Sequence, residues 1–246
     1  MPVRIIKESM KYCLKNKVFF LFLVIILFTM ECLSDIFHNY TIDIILGLFV
    51  FGYGLQIIED IIKGGNRLPK IMPKKLVIFG LKSYLVITFY ILIQSMLLYL
   101  ISERLNFPEF NMEEGLVGFE KILMLLFNHD IASFIIFIVS GIVISYVTIF
   151  FMELALARLA DGEKLKESFS FRSIKHEIDV IGWKRYTVEY TKIILVITVF
   201  SYINKFSNPY FGLNVIIGTL SEFMIFTVEY IGMGHIHKIY IDKISS

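Results

Sequence analysis

Charge is scarce in this sequence. Only 19% of its 246 residues are Asp, Glu, Lys or Arg and 57% are hydrophobic, whereas a soluble domain carries about 25% charged residues. That balance excludes an ordinary soluble globule and places the chain in lipid. Cysteine is scarcer still. Cys13 and Cys32 fall on opposite sides of the first apolar span, so they form no intramolecular bridge in that topology. Glu31 precedes Cys32 where a lipoprotein signal needs a small residue, and nothing resembling A-x-A follows Met30, so neither lipidation nor a cleaved signal peptide is expected. Also missing are a Ser-His-Asp or Cys-His arrangement, a P-loop and a dinucleotide fingerprint. No catalytic residue, cofactor or metal is therefore assigned. The net charge of +2 gives no reason to expect nucleic acid.

What is present is a series of apolar windows about 20 residues long, the length needed to cross a bilayer as helix. Six emerge, at 17–33, 42–62, 76–100, 131–156, 188–207 and 211–232. The basic residues test this division independently, because cytoplasmic loops retain Lys and Arg. Of the 24 Lys and Arg, only Arg104, Lys121 and Lys205 fall on the side opposite the termini, where acidic residues such as Asp35, Glu109 and Glu113 gather. Both termini are expected in the cytoplasm, in a multi-pass protein of the cell membrane. The fold class expected is an all-α transmembrane bundle of about six spans, forming one integral membrane domain over 1–246.

The pieces between the spans follow from pattern. In the N-terminal segment, 1–16, Val3, Ile6, Met10 and Leu14 recur at helical spacing with Arg4, Lys7, Lys11 and Lys15 on another face. Such a basic amphipathic helix lies in the headgroup layer or extends the first span into one long tilted helix. Gly47, Gly52 and Gly54 in the second span invite close approach of another backbone. Spans one to three occupy 17–100, and the outer loop, 101–130, contains an apolar stretch at 116–127 expected to lie on the outer leaflet. After the fourth span, 157–187 is read as a cytoplasmic interfacial segment with a helix over 165–181. Spans five and six occupy 188–232, and 233–246 is a cytoplasmic tail. Gly80-Leu81-Lys82-Ser83-Tyr84 and Gly182-Trp183-Lys184-Arg185-Tyr186 share a pattern, which suggests three repeated helical hairpins.

An ionisable side chain at mid-bilayer costs about 2.5 to 3.5 kcal/mol on insertion scales, so each needs a partner, a water cavity or a proton. Glu222 sits near the middle of the sixth span, and Glu229 follows two turns later on the same face, about 10 Å away at ~1.5 Å per residue. Together they are a candidate protonation or cation-binding pair. Glu59, Asp60, Lys82, Glu153, Arg158, Glu189, Lys192 and Glu229 lie at similar depth on different spans and are expected to form a polar layer towards the cytoplasm; salt bridging and snorkelling at the headgroup boundary is the competing account. His235 and His237 could bind metal only on an extended backbone, because a helix points them about 200° apart.

The run from Gly52 to Pro69, containing Ile-Ile-Glu-Asp-Ile-Ile-Lys-Gly-Gly, the later Gly80-Leu81-Lys82, and Ala157-Arg158-Leu159-Ala160 with Phe169 and Phe171-Arg172 resemble an uncharacterised family of archaeal multi-span membrane proteins, a domain of unknown function. The resemblance implies location and architecture and carries over no catalytic residue. The function expected is that of a non-enzymatic membrane subunit, scaffold or organiser, with membrane lipids and a membrane-protein partner or second copy as its contacts. The alternative is a small carrier for an ion, lipid or apolar metabolite that uses Glu222 and the cytoplasm-facing polar layer. An intramembrane enzyme ranks third, since carboxylates alone can support acid and base work.

Overall fold

The computed structural model describes residues 2–37, 40–105, 131–207 and 213–245, and every regular element in them is helical. In order these are α1 (Pro2–Leu14), α2 (Lys17–Phe37), α3 (Tyr40–Ile62), α4 (Pro73–Arg104), α5 (Ile131–Ala160), α6 (Leu165–Ser168), α7 (Phe171–Ile181), α8 (Trp183–Ser207) and α9 (Leu213–Ile244). Lipid offers no hydrogen bonds to the backbone, so a chain this apolar satisfies its own amides within helices. Five helices, α3, α4, α5, α8 and α9, are long and apolar enough to cross a membrane, and α1 with α2 makes a sixth candidate if that pair is one span. The pair is bent by 109°. That removes the reading in which α1 simply lengthens the first span, and leaves it a separate amphipathic helix.

Packing divides the chain into two units, Met1–Val86 with Glu153–Ser246, and Ile87–Met152. The first is organised around α9, which packs on α1, α2, α3, α7 and α8. Phe20 of α2 meets Phe223 of α9 edge to face at 5.2 Å, and Gly54 of α3 makes room for the Tyr230 ring of α9. The glycines of α3 act as their spacing predicts. A Cβ on Gly52 would strike the Leu76 carbonyl, and one on Gly80 of α4 would strike the Leu48 carbonyl, so two backbones touch where neither residue has a side chain. In the second unit, Gln94 donates to the Ser145 hydroxyl at 3.0 Å.

The turn between α3 and α4 is fastened on several sides. Gly64, at φ +85°, turns the chain out of α3 in a conformation that only glycine adopts readily. Asn16 then donates to the Leu68 carbonyl at 2.9 Å, Tyr53 to the Pro69 carbonyl at 3.0 Å, and the Met72 amide to Gln56 at 3.2 Å. Pro73 opens α4, where its missing N–H removes no helical bond.

Two expected boundaries move. The 165–181 segment is not one helix: it breaks at Phe169, and Ser170 caps α7 by accepting from the Ser173 amide. The segment read as a tail from 233 is a continuation of α9, which stays helical to Ile244. The two copies of the Gly-x-Lys-x-Tyr pattern also serve different local structures. Gly80 lies inside α4, while Gly182, at φ +95°, is the break between α7 and α8. The apolar stretch 116–127, and residues 38 and 39 between the first two spans, lie outside the described residues.

Candidate functional site

Glu153, near the end of α5, is 3% exposed, and its carboxyl lies close to that of Glu229 on α9. Tyr230 lies beside the pair, buried against α3 at Gly54. Glu222 takes a different partner. Its carboxyl hydrogen-bonds Asn204 of α8. Glu229 therefore faces Glu153 across helices, while Glu222, two turns away on α9, takes Asn204 as its hydrogen-bond partner. The physical reason is reach: two turns of helix separate Glu222 and Glu229 by about 10 Å, whereas helices in contact bring side chains to hydrogen-bond distance.

A second group of ionisable residues joins the end of α5 to α7 and α9. The Arg158 guanidinium lies 2.6 Å from Glu163 and 3.2 Å from Glu177, and it also donates to the Ser173 carbonyl at 3.3 Å. Glu177, fully buried, uses its other oxygen to meet His237 Nδ1 at 2.6 Å. His237 Nε2 lies 3.5 Å from Asp161, within ion-pair range but without hydrogen-bond geometry. An imidazole whose two nitrogens both face carboxylates is placed as a cation would be. Burial pushes the Glu163 carboxyl up from its ordinary value, and the guanidinium of Arg158 pulls it only part of the way back. Beyond this cluster, Lys243 donates to the Val180 and Ile181 carbonyls at 2.9 and 3.3 Å and ties the end of α9 to the end of α7.

The remaining members of the expected polar layer fall into local groups. Glu59 is gripped by Lys63 and Lys75. Asp60 accepts from the Tyr12 hydroxyl of α1 at 2.7 Å. Glu189 pairs with Lys192, one turn along α8, at 2.7 Å. Lys82 is partly exposed on α4. The structure thus assembles Arg158 with Glu163 and Glu177, and Glu153 with Glu229, and leaves Glu59, Asp60 and Glu189 in separate contacts.

Glu177 and Glu163 were absent from the sequence-based candidates. A signal for Glu177 was available: it falls on the apolar face of α7 with Ile174, Ile178 and Ile181, all buried, and a carboxylate on that stripe needs a buried cation. The two histidines also part company. Because α9 is continuous through 235–237, His237 meets Glu177 while His235 lines a cleft beside α1. Among the described residues, no three His, Cys, Asp or Glu side chains are grouped to hold a metal ion.

Apolar helices of spanning length, with buried ion pairs between their ends, define an all-helical, multi-span membrane protein. Residues 37–207 match the family model described as Protein of unknown function (DUF4013), and the chain belongs to that family. No curated protein and no solved structure matches the chain.

Proposed function

We propose that this protein is a non-enzymatic membrane subunit, scaffold or organiser that acts by binding, with both termini in the cytoplasm. One observation carries the reading: the buried charges are matched to one another inside the bundle. Arg158, Glu177 and His237 pair with one another across three helices, and the outcome is a fixed junction of helix ends. What the bundle offers its surroundings is surface. Partners of this class are a membrane protein or a second copy of the chain, within lipid. The basic segments around α1, the 63–75 turn and α7 support the cytoplasmic placement, because Lys and Arg are retained on that side. An archaeal cell membrane is the setting implied by the sequence resemblance.

The test is purification in mild detergent from native membranes, followed by mass spectrometry of what stays bound. A stoichiometric protein partner, or a stable dimer by light scattering, is the expected result. Purified protein that by itself moves a solute across proteoliposomes overturns the reading. A specific observation favours a carrier as the second reading, namely the close approach of the Glu153 and Glu229 carboxyls between α5 and α9. A carrier of that kind takes up protons in proteoliposomes under a pH gradient and loses the uptake in Glu153→Gln. Uptake unchanged by that substitution removes the pair from any such mechanism.

A further inference from the structure

The segment between the spanning helices α5 and α8 carries a surplus of open positive charge. Lys164, Lys166, Arg172, Lys175, Lys184 and Arg185 are all exposed, and none of the six has an ion pair or hydrogen bond among the described residues. Its acidic side chains are all engaged. Glu163 and Glu177 meet Arg158, Asp161 faces His237, Glu167 accepts from the Ser173 hydroxyl at 3.1 Å, and Asp179 accepts from the Trp183 indole at 2.6 Å. Lys63, Lys75 and Lys192, by contrast, are each held by a glutamate. Charge bias across the membrane explains why this segment is basic. It does not explain why the acids are paired and the cations left open.

Helix α7 sets where that charge lies. It buries Ile174, Glu177, Ile178 and Ile181, so Arg172, Lys175, His176 and Asp179, at helical spacing, share the opposite, exposed face. The seven residues from Arg172 to Asp179 make a stripe about 10 Å long at ~1.5 Å per residue. The bond from Trp183 to Asp179 joins the stripe to the first residue of α8. A tryptophan at the end of a spanning helix sits at headgroup level, which gives the stripe its depth. Phe171 and Trp183, each 45% exposed, stand beside the cations, the mixture that suits a lipid interface. That depth favours a lipid over a soluble polyanion. We propose that the exposed face of α7, with Lys184 and Arg185 at the start of α8, binds the headgroup phosphate of an anionic phospholipid, one that carries no balancing ammonium. The site goes beyond the subunit role proposed above and does not depend on it, because it needs no protein partner.

Trp183 supplies a local readout, since the chain has 1 Trp. The full chain in mixed micelles is titrated with phosphatidylglycerol or phosphatidylcholine carrying brominated acyl chains, and quenching of the tryptophan emission is followed. Half-maximal quenching by phosphatidylglycerol is expected at a mole fraction at least threefold lower than by phosphatidylcholine. The preference is expected to shrink as salt is added, because exposed charges are screened within about 10 Å at 0.1 M. Arg172→Gln with Lys175→Gln and Lys184→Gln, all at exposed positions, is expected to abolish it. Removing as many cations from α1, by Lys7→Gln with Lys11→Gln and Lys15→Gln, is expected to leave it intact. Equal quenching by the two lipids overturns the proposal, as does a preference that the α7 variant keeps or that the α1 variant loses to the same extent. Equal quenching together with poly-glutamate binding that the α7 variant loses assigns the surface to a soluble acidic partner instead.

Discussion

The most apolar 18-residue window of α5 has a mean hydropathy of 2.6 and is 11% buried within the protein; that of α9 has 1.5 and is 50% buried. The same inversion holds for α3, at 1.7 and 56%. In a soluble protein the most apolar helix would be the most enclosed. In lipid the tails are as apolar as leucine, so apolarity does not draw helices together, and small or polar residues do. Ile135, Ile136, Val139, Ile142 and Val143 of α5 are exposed, while α3 and α9 are held by glycines and hydroxyls such as Gly54, Gly234 and Tyr53. Helix α8 departs from the trend, at 1.3 and 22%.

The buried ion cluster of the first unit gives the largest expected effect. Arg158→Met leaves Glu177 and Glu163 without their guanidinium, and unpairing a buried ion costs about 3–5 kcal/mol. The detergent-purified variant is expected to melt well below the parent. Arg158→Met with Glu177→Leu is expected to recover part of the loss, since the buried carboxylate goes with its guanidinium while Glu163 and His237 each still lack a partner. A double variant as unstable as the single one would assign the effect to lost packing and weaken the contrast with α5.

Next in size is a matched pair of glycine substitutions. Gly52→Val drives a side chain into the Leu76 carbonyl, and overpacking of this kind costs about 1–3 kcal/mol. Gly141→Ala, in α5, meets only Leu98 at 3.8 Å and is expected to be neutral or to gain up to about 1 kcal/mol from helix propensity. Melting temperatures that move in opposite directions sharpen the comparison. Equal losses break it.

Smaller again is the polar link of the second unit. Gln94→Leu removes the bond to Ser145, and interhelical hydrogen bonds in membranes average about 0.6 kcal/mol. A destabilisation near that value is expected in chemical unfolding from mixed micelles. A loss several times larger would show that this unit is fastened as firmly as the first.

The spans were legible because their signal is local. The expected 131–156 and 42–62 lie inside α5 and α3, each of which continues only a few residues further, and the Pro and Gly residues around 64–73 mark the turn as their backbone chemistry dictates. The partnerships were not legible, because they join residues far apart in sequence. His237 and Glu177 are 60 residues apart, and Arg158 and Glu177 are 19 apart. The Glu222 and Glu229 pairing was drawn from helical periodicity, which fixes a shared face but not which neighbouring helix supplies the hydrogen bond. Glu229 met Glu153, and Glu222 met Asn204. The Gly-x-Lys-x-Tyr pattern shows the same limit in reverse: identical letters sit inside a helix at Gly80 and in a break at Gly182, since neighbouring residues decide the backbone.

The smallest expected effect lies at the edge of the ion cluster and depends on pH. Glu163 follows the end of α5, and burial raises its carboxyl above the ordinary value of 4.5 despite the adjoining Arg158. A carboxyl with a higher pKa in the folded state holds its proton more tightly there than in the unfolded chain. Its contribution is therefore fully present below about 4.5, the unfolded value, and is lost as pH rises through the folded value. Glu163 is partly solvated, at 28% side-chain exposure, so the effect is reduced by screening. Glu163→Gln is expected to flatten the change in melting temperature across the acid range while leaving the helix content unchanged. Nothing comparable is expected from substitutions at the exposed Ile142 of α5, where no titratable group is being covered. A pH profile unchanged by Glu163→Gln would place the pH-sensitive contact elsewhere in the cluster.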